Sequence, residues 1–258
     1  MRLSRRFILK RDQISVLIAK DFKLKYDSTA LGFLWSMLIP LLMSGVYYLV
    51  FGVLMRWGRV ENYLLYLISG TFLWQFFANV VMQNGRIMMA NAALLKKTAF
   101  DRRLLVWGTF FTEGAHFVLT IPVMILVMHL FGVRFTLAGL ANIVLIVPCI
   151  ALLAVGCGYF YAACNLYFRD LERIMTIVMM SWLYCSPVFI PIQNIPQKVL
   201  AYYNLNPMTG ILCAWRDVFY TPSFHPQRMV YVFCVALAVF LAGRFVFRRL
   251  EPRFAEMM

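Results

Sequence analysis

Two ionisable side chains interrupt a long apolar run near the middle of the chain. Glu113 and His116 lie three residues apart in the stretch TEGAHF, so on a helix they share one face. Ionisable groups inside an apolar run are costly and usually face the interior of a helix bundle. The pair suits a polar lining or gating contact, or else a structural pair that bonds a neighbouring helix, because one acid and one histidine make a poor proton relay.

A charged island separates two apolar runs in the stretch NAALLKKTAFDRRLLVW, residues 91–107. It holds Lys96, Lys97, Asp101, Arg102 and Arg103. Such an island is either a solvated loop whose only role is topology, or the surface through which another protein moves this one.

Two shorter charged groups follow later in the chain. The stretch FRDLER contains four charged residues that can pair locally: Arg169, Asp170, Glu172 and Arg173. The stretch CAWRDVFY contains Arg216 and Asp217. These two residues could hold an external gate by pairing across a dimer axis, or cap a short helix locally, and the sequence leaves both alternatives open.

The sequence contains no motif for enzymatic chemistry. There is no GxxxxGK[ST] phosphate loop, no HExxH, no GxSxG and no Cys/His spacing typical of a metal site. The six cysteines include no CxxC pair and lie mostly in apolar runs, as small buried hydrophobic residues do. We therefore expect no catalytic residues, no metal and no cofactor on this chain. It resembles a transport pathway for which a separate protein supplies the energy.

The composition indicates a membrane protein. Of 258 residues, 62% are hydrophobic and only 14% are charged, whereas soluble domains are about a quarter charged. The net charge of +14 does not favour nucleic acid as a partner, because the basic residues form short islands rather than one continuous face. Charge placed in this way is typical of membrane topology.

The spacing of apolar residues predicts an all-α, polytopic membrane protein that forms a single transmembrane domain over 1–258. Each predicted span is close to the ~20 residues that cross a bilayer as a helix. Residues 8–25 precede the spans and are predicted to form an amphipathic interface helix with its lysines near anionic head groups. The six predicted transmembrane helices cover 31–55, 62–85, 104–131, 138–168, 174–190 and 229–247.

The basic residues also predict the orientation. With six crossings and both termini in the cytoplasm, most of the 25 Lys and Arg residues fall in the cytoplasmic segments. This is the asymmetry that the positive-inside rule requires. The island at 91–103 is then cytoplasmic.

The region 187–228 carries six prolines and yet stays largely apolar. Proline breaks helices because it removes a donor and clashes with the preceding turn. We expect short re-entrant helices in the outer leaflet, where protein or water satisfies the freed backbone groups. A plain extracellular loop, the alternative, would not need so many apolar residues.

Aromatic residues make up 16% of the chain, and most of those deep in the runs are expected to pack between helices. A subset could line a wide pore with flat apolar faces on which sugar rings slide. Together with Glu113 and His116, the candidates for a channel lining are Tyr47, Tyr48, Trp74, Phe77, Tyr159, Tyr161, Trp182 and Tyr184.

The order of these features resembles the permease subunit of type-2 ABC exporters that move lipid-linked polysaccharide, O-antigen especially. Six stretches carry the resemblance from Lys20 to Glu256: KDFKLKYDSTALGFLWSMLIPLL, NAALLKKTAFDRR, TEGAHF, NLYFRDLERI, NPMTGILCAWRDVFY and RFAE. Each stretch alone is moderately specific, and together they cover nearly the whole chain.

The resemblance implies a homodimer of six-span subunits in the bacterial inner membrane, with a central channel for a lipid-linked glycan. It also implies two copies of a separate ATP-binding subunit that carries ATP and Mg. The island becomes a coupling helix over 91–103, with coupling residues Asn91, Lys96, Lys97, Phe100, Asp101 and Arg102. Arg169, Asp170, Glu172 and Arg173 become a cytoplasmic gate or hinge, and the outer gate falls on Pro207, Trp215, Arg216 and Asp217.

One departure from the family pattern and three alternatives remain. Asp101 stands where the family often has a proline, which puts a kink there in doubt, although aspartate caps helices well. The same architecture could export capsule, teichoic acid, a small lipid or a drug. An integral-membrane acyl- or glycosyltransferase would need clustered acids or histidines near one membrane face, and an ion channel would need a ring of like charge; the sequence has neither.

Overall fold

A computed structural model of the chain describes residues 12–20, 23, 32, 34–55, 62–92, 95, 101–133, 137–168, 170–219 and 225–255. Within these residues the chain forms helices joined by turns, with no strand, and the prediction of an all-helical membrane protein is confirmed. The helices are α1 (12–20), α2 (Leu34–Tyr47), α3 (Tyr63–Ala90), α4 (Arg103–Leu130), α5 (Leu137–Tyr167), α6 (Leu171–Tyr184), α7 (Gln197–Leu205), α8 (Pro207–Asp217) and α9 (Pro226–Leu250). A π-helix, Tyr48–Leu54, continues α2, and 3-10 helices cover Ile192–Asn194 and Glu251–Ala255.

Five segments are long and apolar enough to cross a membrane: Leu34–Leu54, Tyr63–Ala90, Arg103–Leu130, Asn142–Tyr167 and Pro226–Phe254. The span predicted over 174–190 is not a sixth long helix. Helix α6 has 14 residues and is therefore about 21 Å long, against about 30 Å for the hydrocarbon core. Turns follow at 185–190, because Pro187 disfavours helical conformation in the residue before it.

Helix α3 lies at the centre of the bundle. In its most apolar stretch 78% of the residues are buried, compared with 11% for α2. It contacts α2, α4, α5, α6 and α8. A helix that is apolar on nearly all sides is expected in such a central position. The few polar side chains on α3 are therefore candidates for a functional site.

Glycines permit the closest helix crossings. Gly156 on α5 faces Gly243 on α9, and a Cβ added at Gly156 would lie 2.7 Å from the Cα of Phe240. A Cβ added at Gly243 would collide with the carbonyl oxygen of Gly156. Small residues let helix backbones approach in membranes, where packing rather than water exclusion drives association. The same device joins α3 to α5, where the ring of Tyr161 lies against Gly85.

Both terminal segments lie at the same end of the long helices. Lys20, the last residue of α1, donates from Nζ to Oδ1 of Asn91, at the end of α3, over 3.0 Å. Near the C-terminus, the ring of Phe254 lies 5.7 Å from the guanidinium carbon of Arg102, just before α4. Helix α1 buries one residue, Leu17, and exposes Val16. This agrees with an amphipathic helix at 12–20, while the rest of the predicted 8–25 helix lies outside the described residues except for residue 23.

The α5–α9 crossing can be tested with alanine. We expect Gly156→Ala to lower the midpoint of thermal unfolding, because its methyl group forces two backbones apart and overpacking costs about 1–3 kcal/mol. Gly45→Ala on α2 is the matched control, because nothing lies within 4 Å of its added Cβ. That control should be neutral or stabilising, since alanine has a higher helix propensity than glycine. Equal midpoints for the two variants in lipid nanodiscs would show that the crossing is not tight.

Candidate functional site

A ladder of amides on α3 holds the buried carboxylate of Glu113 on α4. Gln75 donates from Nε2 to Oδ1 of Asn79 over 2.8 Å, and Asn79 donates from Nδ2 to Oε2 of Glu113 over 3.0 Å. Gln83 donates from Nε2 to Oε1 of Glu113 over 2.7 Å. The Nδ1 atom of His116 lies 3.3 Å from the same Oε1. Each carboxylate oxygen thus has an amide partner, which offsets much of the cost of placing an acid at this depth.

This network forms the polar wall of a cavity of about 370 Å³ between α2, α3 and α4. We call it the polar groove. Glu113 and His116 are 2% and 4% exposed, whereas Gln75 and Gln83 are exposed. Its aromatic walls include Trp35, Phe76 and Phe117. The groove therefore combines hydrogen-bond donors and acceptors with apolar aromatic faces, as small-molecule binding sites do.

The charged island at 91–103 begins at Asn91, which is bonded on several sides. Asn91 is 5% exposed, accepts from Lys20 and donates from Nδ2 to the carbonyl oxygen of Ile87 over 2.9 Å. It therefore ties α1 to the end of α3. Of the other predicted coupling residues, Lys96, Lys97 and Phe100 lie outside the described residues.

The start of α4 is bonded to the C-terminal segment. Arg102 donates to the carbonyl oxygen of Glu251 and lies over the ring of Phe254. Arg103 pairs with the Glu251 carboxylate at 3.5 Å. Asp101 accepts from the backbone N–H of Arg103 at 3.3 Å, a local bond of the kind that caps helices. We call this assembly of the ends of α1, α3 and α9 with the start of α4 the basic end.

The predicted cytoplasmic hinge is linked to α3 rather than closed on itself. Glu172, in the first turn of α6, pairs with Arg86 on α3. The prediction of local ion pairs is thus corrected for Glu172, because the α3 side chain reaches it across the helix interface. Asp170 and Arg173 are exposed, and Arg169 lies outside the described residues.

At the opposite end of α3, Arg216 is buried and binds backbone carbonyls. It donates from Nη2 to the carbonyl oxygens of Tyr66 and Val188 over 3.2 and 3.1 Å, and from Nη1 to the carbonyl oxygen of Pro187. It also donates to the Tyr66 hydroxyl over 2.7 Å, and that hydroxyl donates to the Pro187 carbonyl over 2.8 Å. These contacts join α8, α3 and the turn after α6 within one chain.

The remaining outer-gate candidates belong to the same assembly. Pro207 is the first residue of α8, and Asn206 before it accepts from the backbone N–H of Met208 over 3.0 Å, which caps the helix. Trp215 is 4% exposed and donates from Nε1 to the carbonyl oxygen of Ser69 over 3.1 Å. Asp217 is half-buried at the end of α8.

The aromatic candidates divide by exposure. Trp74, Phe77, Tyr159 and Tyr161 are buried inside the chain. Trp182 packs against Trp74 and Phe77 with ring centroids 6.2 and 5.2 Å apart, and Tyr47 packs against Phe189 at 4.6 Å. Only Tyr48 and Tyr184, among these eight, keep large exposed fractions, 38% and 49%.

Sequence reasoning missed the amide ladder, Tyr66 and Asn206. The ladder had a readable signal, since Gln75, Asn79 and Gln83 recur every fourth position and therefore share a helix face. Asn206 had a local signal as a helix cap, because it precedes Pro207 and accepts from Met208. Tyr66 had none, because its partners Pro187 and Arg216 lie far away in the sequence. In the part of the chain that the structure describes, no three His, Cys, Asp or Glu residues are grouped as metal ligands.

Comparison with known proteins identifies the family to which this chain belongs. A family model described as ABC-2 type transporter matches residues 12–220. An O-antigen export system permease protein RfbA of Klebsiella pneumoniae is 32% identical over 247 residues, 96% of this chain and 95% of the relative. A protein of the same name from Myxococcus xanthus is 28% identical over 99% of both chains. The polysialic acid transport protein KpsM of Escherichia coli is 17% identical over 80% of both.

The family match covers most of the chain and all of its helices except α9, and the RfbA relatives extend the similarity across nearly the full length. The helical bundle with a buried polar network between spans is consistent with a membrane transporter. The chain belongs to the ABC-2 type transporter membrane family.

Proposed function

We propose that this chain is the channel-forming permease subunit of an ATP-driven exporter that moves lipid-linked polysaccharide of the O-antigen type across the bacterial inner membrane. The observation that carries the proposal is the similarity to O-antigen export permeases, at 32–33% identity over 96% of the chain. Export of capsule is the second candidate, supported by the weaker similarity to KpsM at 17% identity.

The ATP-binding subunit is proposed as a separate protein, present in two copies. The sequence has no phosphate loop, so ATP and Mg would bind to that partner. Its docking surface would be the basic end, with the island 91–103 as the coupling segment. Two hydrogen bonds support this surface: Asn91 is bonded to Lys20 of α1, and Arg102 is bonded to Glu251 after α9. Force applied to the island would therefore reach α1, α3, α4 and α9 together.

The proposed topology has six crossings with both termini in the cytoplasm. Since both described terminal segments lie at one end of the bundle, the number of crossings is even, and the five long helices need one more. Helix α6 and the turn after it support this role. Glu172, in the first turn of α6, pairs with Arg86 near one end of α3, and Pro187, in the turn after α6, accepts from Tyr66 near the other end. In this proposal α7 and α8 are re-entrant helices of the outer leaflet.

The proposed channel lies between two copies of the chain. Tyr48 and Tyr184 are the aromatic candidates best suited to it, because their side chains keep the largest exposed fractions. The proposed outer gate is the segment held by Arg216. Its guanidinium binds the turn at 187–188, so movement of α8 would pull on the turn that ends α6.

The first experiment tests whether an ATPase subunit is bound to this chain. When the tagged chain is purified gently from its native membrane, we expect a soluble ATPase subunit in equal amount, with an ATPase rate that changes on adding the lipid-linked glycan of the same cell. Recovery of the chain without an ATPase subunit would contradict the proposed function. Normal surface glycan on cells that lack the gene would contradict it as well.

The coupling segment can be tested by reversing its charge. We expect Lys96→Glu with Lys97→Glu to abolish export, because an acidic island no longer complements the motor, while membrane insertion and dimerisation are retained. Surface glycan on intact cells measures export, and crosslinking measures dimerisation. Lys198→Glu, an exposed change on α7, is the control. Normal export by the double variant would show that the island is only a topological loop.

Arg216 can be tested by removing its donors. We expect Arg216→Met to lower stability by about 2 kcal/mol or more, because buried carbonyl groups lose their hydrogen bonds. Arg216→Lys should recover only part of the loss, since one ammonium group cannot reach carbonyls on two segments at once. Thermal unfolding in nanodiscs and an export assay measure the effects, with Arg248→Met, an exposed arginine on α9, as control. Wild-type stability and export for Arg216→Met would refute the role of this clamp.

A further inference from the structure

The polar groove exposes the side-chain amides of Gln75 and Gln83, which lie well inside the membrane-spanning length of α3. Gln83 and Gln75 lie seven and fifteen residues from the end of α3 at Ala90, which is roughly 10 and 22 Å along the helix axis. Both are exposed. Exposed amide groups inside a hydrocarbon layer cost several kcal/mol unless water or a polar ligand reaches them. The groove is therefore built to hold a polar occupant.

The chemistry of the lining indicates which occupant. Amides both donate and accept hydrogen bonds, and the carboxylate oxygens of Glu113 only accept them. The described residues that line the groove include no Lys or Arg. Among these described residues a phosphate would meet a carboxylate and no Lys or Arg, whereas neighbouring hydroxyl groups would find acceptors and donors side by side.

The apolar walls fit the same ligand class. The rings of Phe76 and Phe117 lie 5.1 Å apart and nearly parallel, and the side chain of Trp35 is 44% exposed beside them. Flat aromatic faces can cover the C–H face of a pyranose ring while the polar wall binds its hydroxyls. The cavity of about 370 Å³ falls in the usual range of about 300–1,000 Å³ for small-molecule sites.

The position of the mouth supports entry from the cytoplasmic leaflet. Trp35 and Ser36, in the first turn of α2, and Gly32 before it line the groove together with Gln83. Because Ser44 contacts Thr71, α2 runs antiparallel to α3, so its first turn lies toward the basic end. On the membrane side, Ile39 is 49% exposed. A sugar attached to a lipid could therefore reach the groove while its acyl or prenyl chains stay in the bilayer.

We infer that the polar groove is a binding site for a neutral, hydroxyl-rich sugar residue of a lipid-linked glycan, held by Gln75, Asn79, Gln83 and the Glu113 carboxylate. This inference rests on the proposed function and adds to it a substrate site within each subunit, separate from a channel between subunits. His116 positions the Glu113 carboxylate from the same helix.

The test is a binding measurement on the intact exporter. The complex of this chain with its ATPase partner is placed in nanodiscs without glycoside detergents, and binding of the purified lipid-linked glycan is titrated by native mass spectrometry. We expect Asn79→Leu and Gln75→Leu each to weaken binding about tenfold, because each removes a hydrogen-bonding amide and keeps the side-chain size. Gln13→Leu, which changes an exposed amide on α1, should bind as the wild type does.

Three further outcomes complete the design. Gln75→Leu, at an exposed position, should keep the wild-type unfolding midpoint, so that its lost binding is not lost folding. Asn79→Leu also takes a hydrogen bond from the buried Glu113 carboxylate and should lower the midpoint, so the binding result for Gln75→Leu is decisive. Wild-type binding by both variants in an exporter that still transports glycan would overturn the groove site alone. Absence of glycan binding and transport in the wild type would overturn the proposed function as well.

Competition identifies the source of the hydroxyl groups. Vesicles of phosphatidylglycerol, whose head group carries two hydroxyls, should compete poorly with the glycan lipid, because the described lining of the groove includes no Lys or Arg to bind their phosphate. The free glycan without its lipid should compete at higher concentration, since it lacks the membrane anchor. Equal competition by phosphatidylglycerol would overturn the sugar assignment in favour of an ordinary membrane lipid.

Discussion

The structure depends on one constraint, namely that polar groups at membrane depth must find partners within the protein or in a cavity. Helix α3 meets this constraint at three levels. Near its first turn the Tyr66 hydroxyl binds the turn after α6, in its middle the amide ladder binds Glu113, and near its end Arg86 binds Glu172. Because no water competes in the hydrocarbon layer, the Tyr66 and Glu113 contacts each fix a neighbouring segment relative to α3.

The two ends of the bundle are built differently for a physical reason. At the basic end the partly exposed ion pair between Arg86 and Glu172, 67% and 33% exposed, contributes little stability in water. Such a contact can break and re-form when a partner moves the helix ends. At the other end Arg216 is 6% exposed and its guanidinium is surrounded by carbonyl groups. That arrangement is costly to open, because several carbonyl groups would lose a hydrogen bond at once.

The polar groove lies between these ends and shares its helices with both. Gln83 is three residues from Arg86 on α3, and Glu113 is ten residues from the start of α4 at Arg103. A displacement of the basic end would therefore change the distance between the amide ladder and its carboxylate. In the proposed exporter this geometry would couple sugar binding in the groove to the position of the motor.

The sequence by itself determined the helical membrane class, four of the long spans to within a few residues, the orientation signal and the Glu113–His116 pair, because apolar length, basic asymmetry and helical periodicity are local properties. It did not show that the span predicted over 174–190 is a 14-residue helix followed by turns, because both parts are as apolar as one long helix. Tertiary structure alone decided that Arg216 binds the turn at 187–188, that Glu172 pairs with Arg86, and that Tyr159 and Tyr161 are buried. Each of these outcomes depends on which helices become neighbours, and that is set by contacts such as Gly156 against Gly243 between residues distant in the sequence.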